Sequence, residues 1–124
     1  MSQDSVADAL NQMMNCTKAG KNIVVVSHHP KLLLSVLAIA KLKGYVKNYH
    51  LESGKLKIEL AKIMGCKAIK PRYMVSVSEI EKYEKRYLPA KNFGIIIIST
   101  SQGLMTHQTA IDKNIGGSLI AYIY

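Results

Sequence analysis

Residue types that carry most enzyme chemistry are scarce here. The chain has two cysteines, Cys16 and Cys66, far apart and without a C-x-x-C pattern. A disulfide framework needs more of them, and a zinc site needs nearby partners. Both are expected to be buried and reduced, as in a cytosolic protein. Asp and Glu together number 8; most sit at expected helix starts or on the polar face of a strand, so no paired-carboxylate site emerges. His28, His29, His50 and His107 show no H-E-x-x-H or other metal spacing. Gly103 is followed by Leu104 and Met105, which excludes a Walker A loop. No apolar run approaches the ~20 residues of a membrane span. The segment 1–9 carries Asp4 and Asp8 and no basic cluster, so no signal or transit peptide is expected. There is no internal repeat, low-complexity tract or long linker. Neither a metal, a cofactor nor a membrane is expected.

Apolar residues and positive charge are abundant. Of 124 residues 48% are hydrophobic, enough to bury a core in one compact unit or two small lobes. Lys and Arg number 17, giving a net charge of +9. The excess is uneven: 41–72 holds nine basic residues against Glu52 and Glu59. A small domain with charge concentrated in this way is expected to meet a polyanion.

Periodicity divides the chain into elements. Ser5-x-x-Asp8 resembles a capping box, followed by Val6, Ala9, Leu10 and Met13 at helical spacing and by Gly20 as C-cap. Ile23–Val26 reads as a strand buried on both faces. Pro30 fits the first position of a second helix, whose apolar face would be Leu33, Leu34, Leu37, Ala38 and Ala40 and which Gly44 closes. Segments 45–51 and 55–60 alternate around a Ser53-Gly54 turn, with Leu56, Ile58 and Leu60 on one side and lysines on the other. Residues 68–77 read as one extended segment around Pro71 at a sheet edge. Ser78-x-x-Glu81 suggests another capping box, with a helix to Lys85 that Leu88-Pro89 ends. Residues 94–98 form a strand covered on both faces. Thr106–Lys113 is a short helical turn, Gly116-Gly117 breaks it, and 118–124 is a last strand. The fold class expected is α/β (α+β): an N-terminal α-β-α-β-β lobe, 1–66, and a mainly β C-terminal lobe, 67–124.

The most unusual stretch is I-S-T-S-Q-G, 98–103, where an apolar strand turns into uncharged hydrogen-bonding groups. Ser99 or Ser101 with His107 and Asp112 could be written as a triad. No G-x-S-x-G elbow is present, however, and Asp112 would share a helical turn with His107. A serine-dependent hydrolase is therefore the weakest alternative. Hydroxyls and an amide both donate and accept, which suits ribose hydroxyls, base edges and phosphate oxygens, and Gly103 permits close backbone approach. The same residues could also simply cap the turn. Lys31, in the first turn of its helix, could hold a phosphate or be an ordinary solvated lysine. Arg86 and Tyr87 offer a cation and an aromatic face, although Tyr83 and Tyr87 at i, i+4 could equally be core. A generic double-stranded RNA binder held by charge is the nearer alternative.

The sequence I-I-I-I-S-T-S-Q-G-L-M-T-H-Q-T-A, 95–110, closely resembles the signature of the family of protein eight of the small ribosomal subunit. I-G-G-S-L-I-A-Y-I-Y, 115–124, resembles that family's C-terminal strand, and K-P-R-Y (70–73) with Y-E-K-R-Y-L-P-A-K-N-F-G (83–94) is similar to its archaeal and eukaryotic branch. D-S-V-A-D-A-L and the helix ending K-G-Y-V also match, so the resemblance covers essentially the whole chain. It implies a non-catalytic, two-lobed protein of the ribosome in the cytoplasm. That protein would bind an irregular helix in the central domain of small-subunit ribosomal RNA early in assembly. It would touch neighbouring ribosomal proteins and be a monomer off the ribosome. The resemblance assigns RNA contact to Ser99, Thr100 and Ser101, extended to Gln102 and Gly103, and a phosphate contact to Lys31. It places Tyr87, beside Arg86, near the RNA. Arg86, Gly116 and Gly117 are also expected among the RNA-binding positions. Pro30 stands where the family has a small hydroxyl residue, and His28-His29 replace its usual small or proline residues.

Overall fold

The structure is a computed structural model that describes residues 5–90 and 93–124. The chain divides into two compact units, Met1–Cys66 and Lys67–Tyr124.

The first unit runs α1 (Ser5–Lys18), β1 (Ile23–Val26), α2 (Lys31–Leu42), β2 (Val46–Glu52) and β3 (Lys55–Leu60), the expected α-β-α-β-β order. The strands form an antiparallel sheet ordered β1-β3-β2. Leu56, Ile58 and Leu60 of β3 are buried with Val24 and Val26 of β1. Val6, Ala9, Leu10 and Met13 of α1 and Leu33, Val36, Leu37 and Ala40 of α2 complete the core. The β2–β3 hairpin turns on Ser53 (φ 53°) and Gly54 (φ 79°). Two successive left-handed residues make the turn whose twist matches that of its strands.

Several details differ from expectation. Strand β1 is buried on one face only: Ile23 is 44% and Val25 52% exposed. An apolar run predicts two covered faces only where helices flank both sides of a sheet, and here the core lies on one. Pro30 (φ −66°, ψ 164°) is the N-cap of α2 rather than its first helical residue, since an extended ψ cannot start a helical turn. On α2, Val36 is buried and Ala38 exposed; the apolar stripe is rotated from the one expected and runs through Leu33, Val36, Leu37 and Ala40. Helix α1 already includes Ser5, so the residue before it lies outside the described residues. Cys66 is buried with its Sγ 3.5 Å from the Leu10 carbonyl, but Cys16 is half-buried. It lies in the last turn of α1, where residues 14–18 are half-buried or exposed.

In the second unit five strands form one sheet. β4 (Cys66–Ala68), β8 (Gly117–Ile123), β6 (Ile95–Thr100) and β7 (Gly103–Thr106) follow in spatial order, and β5 (Met74–Val75) also pairs with β8. The expected continuous segment at 68–77 is therefore two short strands interrupted at Pro71, which has no N–H to offer a ladder. Helix α3 (Val77–Tyr87) starts two residues earlier than predicted. Its capping box is Ser76-x-x-Glu79: one Glu79 carboxylate oxygen accepts from both the backbone N–H and the hydroxyl of Ser76, each at 2.9 Å. Ser78 with Glu81 has the same spacing, so the pattern alone could not choose between them. Helix α4 (His107–Asp112) is capped by Thr106, which accepts from the Thr109 N–H.

Ile96 and Ile98 of β6 join Ile80, Tyr83, Leu88, Met105, Ala110 and Leu119 in one cluster. Ile95 and Ile97 face the other side of the sheet and are equally buried, so this strand is covered on both faces as expected. Ile120 is the extra residue of a bulge against Ile97 and Ile98. It is buried too, which breaks the simple alternation expected for the last strand. A row of stacked rings, Tyr73–Tyr83–Tyr87–Tyr122–Tyr124, crosses from the β5 approach over α3 to the end of β8, with centroids 5.4–6.3 Å apart. Each such pair contributes about 0.5–1.5 kcal/mol beyond its buried area.

Candidate nucleic-acid interface

The hydroxyl-rich stretch is the end of a hairpin rather than a loop following a strand. β6 continues through Ser99 and Thr100, and Thr100 pairs with Gly103 across the two-residue turn Ser101-Gln102. The turn needs a left-handed residue to rejoin β7, and Gly103 supplies it at φ 104°. A strand boundary at Ile98 was expected because hydroxyl residues suit turns; here the ladder to β7 and β8 carries Ser99 and Thr100 on.

The three hydroxyls differ in what they touch. The Thr100 hydroxyl accepts from the Gln102 N–H at 3.1 Å and donates to the Gly103 carbonyl at 2.8 Å. It is committed to holding the turn. The hydroxyls of Ser99 and Ser101 have no partner among the described residues. Ser99 is half-buried and Ser101 exposed. Gln102 is exposed, and its amide oxygen accepts from Lys113 Nζ at 3.5 Å. The tip is uncharged in itself, but a cation from the end of α4 leans on it.

Gly116 and Gly117 lie behind this tip. A Cβ on Gly117 would stand 2.2 Å from the Ser99 carbonyl oxygen, and one on Gly116 2.3 Å from that of Val75. No side chain fits at that separation, so both glycines are required for β8 to approach β6 and the β5–α3 junction. The structure thus brings Ser99, Thr100, Ser101, Gln102, Gly103 and Gly117 together at one end of the second sheet.

Arg86 and Tyr87 belong to the aromatic row. The exposed Arg86 guanidinium lies 5.9 Å from the Tyr73 ring centroid and 5.5 Å from that of Tyr87. Tyr87 already stacks with Tyr83 and Tyr122. Its ring is a wall of the row, with the exposed Arg86 cation in front of it. In the first unit, exposed Lys31 opens α2. The N-cap Pro30 makes no side-chain hydrogen bond there, so the first-turn N–H groups and Lys31 present a positive end together.

The serine triad has no geometry to support it. His107 is buried; its Nε2 donates to Glu84 Oε2 at 2.8 Å, and its Nδ1 accepts from the Ile96 N–H at 3.1 Å. Asp112 instead takes a bond from Gln108. The Glu84–His107 pair was missed in the sequence. Its only trace is one acid at an otherwise apolar position of α3, 23 residues from its partner.

The comparisons with known proteins agree with the resemblance. The family described as ribosomal protein S8 matches residues 4–124. A relative named small ribosomal subunit protein uS8, from Nanoarchaeum equitans (strain Kin4-M), is 46% identical over 129 aligned residues that cover all of both chains. With a family match of that extent, the chain belongs to the ribosomal protein S8 family, whose members are structural rather than enzymatic.

Proposed function

We propose that this protein is a primary ribosomal-RNA-binding component of the small ribosomal subunit. It binds an irregular helix of the central domain and helps to assemble the surrounding platform of the ribosome in the cytoplasm. The observation that carries this reading is the pair of unpartnered hydroxyls, Ser99 and Ser101, at a tip anchored by four buried isoleucines. A rigid uncharged tip reads shape and ribose, because groups already fixed lose little entropy on contact. Gln102 and the backbone at Gly103 extend that edge, and Gly116 and Gly117 hold it close to β8. Lys31, Arg86 and the charge of +9 provide attraction to phosphate. The protein is a monomer off the ribosome and touches neighbouring ribosomal proteins in it.

The test is competition at ~150 mM salt, where unspecific attraction is screened. An irregular ribosomal helix with bulged bases should displace a labelled copy of itself far better than a regular RNA duplex does. Equal competition would reduce the protein to a duplex binder held by charge. In the same assay Ser101→Ala should weaken binding by about 1 kcal/mol or more, as for the loss of an interfacial hydrogen bond, with unchanged thermal stability.

A further inference from the structure

Helix α3 has two unlike sides. Lys82 and Arg86 lie against the tyrosines, while Glu81, Glu84, Lys85 and Leu88 line a cleft with Pro89 and Ala90. The cleft has a volume of about 160 Å³. We propose that it receives the guanidinium of an arginine side chain from a partner protein, with Glu84 as the principal acceptor and Glu81 at the rim.

Glu84 is 8% exposed. The only hydrogen bond its carboxylate makes among the described residues is the one from His107 Nε2 to Oε2. His107 cannot neutralise it: Nδ1 is occupied as an acceptor by the Ile96 N–H, so the ring carries its proton on Nε2 and is uncharged. Its second carboxylate oxygen has no partner among the described residues, yet no buried side-chain oxygen or nitrogen among them lacks one. That oxygen is therefore reachable from outside, and the cleft it lines provides the route. Lys85 forms no ion pair with Glu84 or Glu81. Two carboxylates against one lysine make this cleft negative in a protein of net charge +9. A nearly buried carboxylate supported by a single neutral donor is costly until a cation meets it.

The shape selects the cation. Leu88, Pro89 and Ala90 supply an apolar wall. A cavity of about 150 Å³ accepts a benzene ring, and a guanidinium with its last methylene is of similar size. Guanidinium is planar, weakly hydrated and forked to match a carboxylate; ammonium is compact and strongly hydrated, and loses more on entering an apolar-walled cleft. No group of three or more metal-ligating side chains occurs among the described residues, so a metal ion has too few donors here. The inference rests on α3 and its cleft and does not depend on the RNA reading.

The experiment titrates the full chain with N-acetyl-arginine amide, followed by backbone amide NMR shifts. N-acetyl-lysine amide and spermidine serve as controls. The arginine probe should give saturable shifts confined to α3, Leu88, Ala90 and His107. It should bind about tenfold or more tightly relative to Glu84→Gln, which keeps the acceptor for His107 while removing the charge. Glu81→Gln, at an exposed position, should weaken it less; it carries the test alone if Glu84→Gln does not fold. No saturable shift, or equal response to the lysine probe or spermidine, overturns the proposal. Lys91 lies outside the described residues. Tighter probe binding in Lys91→Ala would assign the cleft to this chain's own cation and overturn it as well.

Discussion

Three neighbouring hydroxyls with one sequence signature have two different jobs. Thr100 closes the turn through two internal bonds, whereas the hydroxyls of Ser99 and Ser101 have no partner among the described residues and on the proposed function meet the RNA. Thr100→Val preserves the branched shape and removes both bonds. It should lower stability by about 1 kcal/mol in denaturant unfolding and loosen the tip, whereas Ser101→Ala should act on RNA binding alone. The stretch itself was legible from the abrupt change of residue type at Ile98. The division of labour was not, because it depends on the pairing of Thr100 with Gly103. Cysteine gives a second residue-scale outcome. Burial pushes the Cys66 thiol up to about 12, while half-buried Cys16 stays accessible. A thiol reagent at mildly alkaline pH should label Cys16 and spare Cys66 until the chain unfolds. With its folded value raised, Cys66 stabilises fully below the ordinary thiol range. That contribution is lost as pH rises towards about 12; Cys66→Ala should flatten this alkaline decline in melting temperature.

Elements were easier to read than their ends. Hydrophobic patterning identified the first two helices and the main strands of both units, while a capping pattern pointed to α3 and 106–113 read only as a short helical turn. It failed at β1, where four apolar residues implied two covered faces but Ile23 and Val25 meet solvent. It also failed at β7, a four-residue strand whose last residue is the N-cap of α4 and which offers no alternation to recognise. Ser76 and Ser78 show why capping sequences locate a helix only to within a turn. Helix α3 carries a consequence that can be measured. Hydrogen bonds from the backbone and hydroxyl of Ser76 hold the Glu79 carboxyl below its ordinary value. A depressed carboxylate stabilises the fold above its unfolded value, and that contribution disappears as pH falls through the folded one. Ser76→Ala should therefore reduce the difference in melting temperature between neutral and acid pH, on the acid side of the ordinary carboxylate range. An unchanged acid limb would mean that the box is not formed in solution.

For the molecule as a whole, the proposed function draws attraction and discrimination from different residues. Basic residues crowd 41–72, while the candidate reading groups are uncharged and lie at 99–103. Composition makes the first half of that arrangement visible and the change of residue type at Ile98 the second; the hairpin adds the pairing of Thr100 with Gly103. Salt should therefore affect affinity strongly and preference little. Lys31→Ala should lower the slope of log affinity against log salt by about one phosphate contact, without changing the ranking of irregular over regular RNA. An unaltered slope would make Lys31 an ordinary solvated residue.

The turn between Thr100 and Gly103 is two residues long, and that shortness makes the hairpin a ruler. Behind it, Gly117 leaves no room for β8 to slide past the Ser99 carbonyl. Adding or deleting one residue in β6 would send each side chain beyond it to the opposite face, exchanging Ser99 with its committed neighbour and lifting isoleucines from the core. The tip can thus change chemistry by substitution but not reach by insertion. On the proposed function, an RNA that fits it must accommodate a projection of fixed length, and a lineage altering this contact has to do so one side chain at a time.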